Sequence, residues 1–151
     1  MDVQIVNQPD LRIAGIRHIG PYHEIGREFG RLGGMLKGPP PAGSQMIALF
    51  HDDPAVTPPD KLRADAALTL PASARAPAGL IEQHIPAGRY AKAIHKGGYE
   101  GLPATWDALK KEWLPKSGHK MGGPSYEVYV NNPMTTEKSE LLTEVYLRLR
   151  D

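Results

Sequence analysis

The chain of 151 residues contains no cysteine. That excludes disulfides, thiolate metal sites and a cysteine nucleophile. There is no run of about 18 apolar residues, so no membrane-spanning helix is expected. Charge of one sign is missing too: 18 basic residues face 17 acidic ones, and no basic tract stands out. The charge gives no sign of direct DNA binding. The opening "MDVQIVNQPDLR" lacks a basic stretch followed by an apolar one, so it does not read as a signal peptide and a cytoplasmic protein is expected. The histidines show no HExxH spacing. The glycine-rich "RLGGMLKG" and "HKGGYEG" are not Walker-type phosphate loops, and no Ser-His-Asp arrangement is singled out by spacing. Neither a metal nor a cofactor is expected. Apolar residues make up 40%, somewhat low for a domain, alongside 16 glycines and 15 prolines.

What the chain does have is an internal repeat. His18-Ile-Gly-Pro-Tyr22 resembles His95-Lys-Gly-Gly-Tyr99, 77 positions on. Further along, residues 48–70 resemble 127–149 at an offset of 79, with Pro54, Thr57, Leu62, Leu68 and Leu70 matching Pro133, Thr136, Leu141, Leu147 and Leu149. Between these landmarks Ile25, Phe29, Leu32 and Leu36 form one apolar helix stripe. The same stripe returns, bulkier, as Leu102, Trp106, Leu109 and Trp113. Each half reads strand, glycine turn, helix, strand, turn, strand. The strands fall near 11–18, 46–51 and 64–70, then near 88–95, 125–130 and 143–149. "GPPPAGSQ" at 38–45 is an irregular loop, because proline lacks the donor a helix needs. "PASARAPAG" at 71–79 joins the halves, with a further short strand after it.

A strand–helix–strand–strand unit leaves one sheet face open. Two copies packed about a pseudo-twofold axis give a single α+β domain over 1–151, with halves of about 1–70 and 80–151, antiparallel sheets, two main helices and a central cleft. A cleft between duplicated halves is a natural ligand site.

Where the copies differ, the difference points to the task. On the middle strands Ile47 and Leu49 match Tyr126 and Val128 on one face. The other face has Ala48 and Phe50 in one half, and Glu127 and Tyr129 in the other. The aromatic is kept, but alanine has become glutamate. Aromatic rings attract cations, and a carboxylate adds full charge. A partly buried glutamate also has a raised pKa, which suits acid–base chemistry. The alternative is a surface glutamate on a half-exposed strand. Repetition of His18 and His95 argues for a structural role, as does that of Asp65 and Glu144. Trp106 and Trp113 read as core, with one edge lining the cleft. Which of Glu127 and Glu144 faces the cleft stays open.

Three segments, "GPYHEIGREFGRL", "IPAGRYAKAIHKGGYEGLPATWDALKKEWLPKSGHK" and "YEVYVNNPMTTEKSELLTEVYLRL", resemble the GyrI-like (SbmC) small-molecule-binding family. The same domain is the effector-binding half of some AraC-type and MerR-type regulators. The resemblance covers nearly the whole chain and implies a pair of SH2-like β-α-β-β units with a ligand cleft. It implies binding of lipophilic, often cationic or aromatic compounds, with Glu127 at the E-x-Y position. Ligand-binding residues expected on this basis are Glu127, Tyr129, Phe50, Trp106 and Tyr99. Other members of the family resemble hydrolases of cyclopropanoid DNA-alkylating compounds, for which Glu127 and Tyr129 are the expected catalytic pair. Still others are gyrase inhibitors, which makes DNA gyrase an alternative partner. With the resemblance taking up nearly all of the 151 residues, no DNA-binding helix-turn-helix is expected among them.

Overall fold

A computed structural model describes residues 1–151, and it falls into two compact units. The N-proximal unit is Pro9–Ala87; the C-proximal unit combines Met1–Gln8 with Gly88–Asp151. The expected halves differ from these units at two strands. β1 (Gln4–Gln8) pairs antiparallel with β6 (Gly88–Lys96), not with its own half. β5 (Ile81–Ile85), the short strand expected after 71–79, pairs with β2 (Leu11–Ile19). Both bind by backbone ladders along a strand edge, which leave little mark on side-chain pattern.

In the N-proximal unit β3 (Met46–Phe50), β4 (Arg63–Thr69), β2 and β5 lie in that order, all antiparallel. Helix α1 (Gly26–Met35) follows β2 through a 3-10 turn. It carries four glycines, so its intrinsic tendency to form a helix is weak. Burial of Ile25 and Leu32 from the predicted stripe holds it in place. Gly15 on β2 permits a close approach: a Cβ there would lie 2.2 Å from the Ala66 carbonyl oxygen.

In the C-proximal unit the order is β1, β6, β8 (Leu142–Arg148), β7 (Ser125–Tyr129), again antiparallel. The helix opens as α2 (Leu102–Asp107), passes through a π-helical stretch (Ala108–Trp113) and ends as α3 (Leu114–Ser117). Pro115 has no N–H for the carbonyl four residues back, and the widened register falls on the residues just before it. Leu102 and Leu109 of the stripe join Ala91, Ala93, Val145, Leu147 and Leu149 in one buried cluster. The architecture is α+β, and no helix is long and apolar enough to cross a membrane.

The two sequence landmarks adopt the same local geometry. Gly20 and Gly97 both have positive φ, 136° and 117°. Their N–H groups donate to the carbonyls of Leu62 and Leu141 at 2.8 Å each.

Candidate functional site

The site grows from strand pairing. Glu127 stands opposite Val145, and Val145 opposite Ala93; Tyr129 stands opposite Thr143, and Thr143 opposite His95. Cross-strand partners share a face, so these six side chains form one surface. Ala93 and Val145 belong to the buried cluster that contains Leu102 and Leu109, so this surface faces the helix. Glu127 is therefore no solvent-facing acid; it is 5% exposed.

Its two carboxylate oxygens each accept one hydrogen bond. Trp106 Nε1–H donates to Oε1 at 2.6 Å and the Tyr129 hydroxyl donates to Oε2 at 2.7 Å. Both are short, as expected for bonds to an ionised acceptor. Burial pushes the Glu127 carboxyl above its ordinary range. The Tyr129 and Trp106 hydrogen bonds and the His95 ring pull it only part of the way back. Burial and the neighbouring Glu127 charge drive the Tyr129 hydroxyl well above the usual tyrosine value. Tyr99 is raised for the same two reasons. Its ring lies 5.3 Å from that of Tyr129, tilted 59°. The Lys110 ammonium sits 5.5 Å from the centre of the Trp106 ring.

Four of the five expected ligand-binding residues thus come together: Glu127 and Tyr129 from β7, Trp106 from α2, Tyr99 from the 3-10 turn before it. Phe50 lies in the N-proximal unit, where its ring is 4.7 Å from Tyr22. Tyr22 is anchored by the Asp52 backbone, donating to its carbonyl at 2.9 Å, and burial pushes its hydroxyl up to about 12. Trp106 is not purely core, because its indole N–H serves the carboxylate directly. Trp113 stacks on His119 instead.

Glu144 points to the opposite sheet face from Glu127, since it pairs with Val128. There it accepts from the Tyr146 hydroxyl at 2.9 Å and pairs with Lys92 at 3.2 Å. Tyr146 stacks on Tyr126 at 4.6 Å.

The two strand-end histidines reveal a swap. His95 Nε2–H donates to the Gly98 carbonyl at 2.8 Å, and Nδ1 meets the Thr105 hydroxyl at 2.8 Å. His18 Nε2–H donates to the Pro21 carbonyl at 2.9 Å, but its Nδ1 meets a carboxylate, Glu28, at 2.6 Å. Glu28 is buried and also accepts from Arg31 at 2.9 Å. The N-proximal unit buries one acid on its helix, Glu28, and another on β4, Asp65, whereas the buried acid of the C-proximal unit, Glu127, lies on a strand. Glu28 went unnoticed in the sequence, although it lies on the stripe side of α1, three residues after Ile25. Thr143 was missed as well. It is fully buried beside Tyr129, and its hydroxyl has no hydrogen-bond partner.

The open depressions of the C-proximal unit, about 640 and 380 Å³, are not lined by Glu127. The smaller is lined in part by Tyr99. The carboxylate itself is closed over by its aromatic neighbours.

The site is thus a buried acid held by two aromatic donors in a small α+β fold. The model of the GyrI-like small molecule binding domain matches residues 1–150, and the chain belongs to that family. A DNA gyrase inhibitor of Yersinia enterocolitica is 33% identical over 138 residues, covering 87% of this chain and 88% of its own length. Among solved structures, the EcmrR C-terminal domain superposes with a TM-score of 0.77 at 18% identity, covering 99% of this chain and 98% of that one. SAV2435 bound to tetraphenylphosphonium superposes with a TM-score of 0.71 at 13% identity, covering 99% and 94%. At such identities the structural likeness speaks for the fold alone.

Proposed function

We propose that this chain binds lipophilic organic cations, with the Glu127 carboxylate neutralising the charge and Trp106, Tyr99 and Tyr129 supplying aromatic walls. One observation carries the reading: a carboxylate 5% exposed, with an indole N–H at 2.6 Å and a phenol at 2.7 Å. Burying a charge this way costs stability unless it is paired. A site that keeps an acid among rings is suited to a partner that brings both a positive charge and apolar surface. Tetraphenylphosphonium, found on SAV2435, is a compound of that kind. Entry requires the Trp106 indole to give way, because it covers one carboxylate oxygen. We also take the two units to be copies of one SH2-like strand–helix–strand–strand element, with Glu127 the later specialisation.

Hydrolysis of a strained electrophile is the second reading, favoured by the raised proton affinity of Glu127. Against it, the Tyr129 hydroxyl already donates to Glu127 and must be released before it can polarise a substrate. A third reading, gyrase inhibition, comes from the name of the Yersinia relative.

The test is to titrate tetraphenylphosphonium and neutral triphenylphosphine oxide while following tryptophan fluorescence, and to analyse cyclopropanoid alkylators for products over many turnovers. Binding of the cation in preference to the neutral analogue, with no turnover, is the expected result. Turnover lost in Glu127→Gln moves the assignment to the hydrolase. Inhibition of supercoiling that is insensitive to Glu127→Gln moves it to a protein partner.

A further inference from the structure

We propose that the depression beside Tyr99 is an outer subsite for an aryl-substituted organic cation, and that the Lys138 ammonium occupies there the position the ligand's charge takes. The proposal rests on the reading of Glu127 as the inner anion.

The depression, about 380 Å³, has apolar walls from Tyr99, Pro133 and Leu141. Its polar lining includes Glu100 and Lys138, and the wider neighbouring depression adds Glu137. The two adjoining depressions thus share Glu100 and Lys138, and the wider one adds a second carboxylate. Tyr99 links this surface to the buried acid. Its ring lies 5.3 Å from that of Tyr129, and the Tyr129 hydroxyl reaches Glu127 at 2.7 Å. Two rings separate the open depression from the closed carboxylate.

The Lys138–Glu100 pair crosses the depression at 2.6 Å, with both side chains about two-thirds exposed (70% and 66%). An ion pair this exposed is weak in water and readily exchanged. Gly98 underlies it. A Cβ there would meet Glu100 Oε2 at 2.3 Å and Lys138 Cε at 2.4 Å, so the bare backbone lets the pair lie flat. Gly98 has an ordinary φ of −62°, so the glycine is needed for space and not for backbone conformation. An incoming aryl cation stacks on Tyr99, pairs with Glu100 and releases Lys138.

The experiment is calorimetric titration of tetraphenylphosphonium into the wild type, Lys138→Met, Glu100→Gln and Glu127→Gln at low and high salt. Both outer residues are exposed, so the fold survives their replacement. Removing a competing unit charge several ångströms away changes affinity about threefold in water. Lys138→Met is expected to tighten binding about threefold and Glu100→Gln to weaken it about threefold. Both effects shrink in 1 M salt, where charges are screened within about 3 Å. If Glu127→Gln abolishes binding while both outer variants match the wild type, the outer subsite is refuted and the inner site stands. If the wild type binds no cation, both fall. If the outer variants act equally on triphenylphosphine oxide, the effect is not one of charge and the proposal is overturned.

Discussion

Replacing Glu127 by glutamine is expected to make the unliganded protein more stable. The amide keeps the shape of the site: its oxygen accepts from Trp106, and its nitrogen donates to the Tyr129 oxygen. What disappears is a buried charge that two hydrogen bonds, of 2.6 and 2.7 Å, only partly compensate. Relief of an imperfectly satisfied buried group is worth about 1–3 kcal/mol. For a chain of this size that is a rise in Tm of about 3–10 °C. The pH dependence follows from the direction of the shift. Glu127 holds its proton more tightly folded than unfolded. Above the raised folded value the carboxylate is charged in both states, and the full burial cost is present. As pH falls through the raised folded value toward the ordinary value of 4.5, the wild type takes up its proton and the cost fades. The advantage of the glutamine variant is therefore largest above the raised folded value and fades as pH falls through it to below 4.5. Differential scanning calorimetry of both proteins across this range measures it, and contributions from other carboxyls cancel in the difference. A glutamine variant less stable at alkaline pH, or a gain independent of pH, refutes the reasoning.

Glu28→Ala is expected to destabilise by about 3 kcal/mol in urea titration, because it leaves the fully buried His18 ring without its acidic partner. The His18 and Arg31 hydrogen bonds outweigh burial and hold the Glu28 carboxyl below its ordinary range. Its contribution is thus present above pH 4.5 and lost as pH falls through that lower value. Thr143→Val removes a buried hydroxyl that has no partner, at nearly constant volume. It is expected to stabilise by about 1 kcal/mol in the same assay.

The helix stripes and the strand alternation were legible because each depends on residues close in sequence, and the Ala48-to-Glu127 difference because the internal repeat aligns the two positions. The faces of Glu127 and Glu144 followed from the pleat once register was known, and register is a property of pairing between distant strands. Trp106 illustrates what was out of reach. Its place in the i, i+4, i+7 stripe describes a core residue, and only the fold puts the indole N–H on Glu127, 21 residues away. Glu28 was hidden for the opposite reason: an acid on a helix ordinarily means solvent, unless a distant ring meets it. β1, and the partner of the expected strand β5, were hidden because edge pairing is read from backbone, not side chains.

The central claim is that the ionised Glu127 carboxylate recognises a cation. The most direct measurement is the affinity for tetraphenylphosphonium as a function of pH. The account predicts constant affinity above the raised Glu127 value, a fall of about tenfold per pH unit below it, and a flat, weaker profile in Glu127→Gln. Equal affinity in the two proteins, with no pH dependence in the wild type, would contradict it.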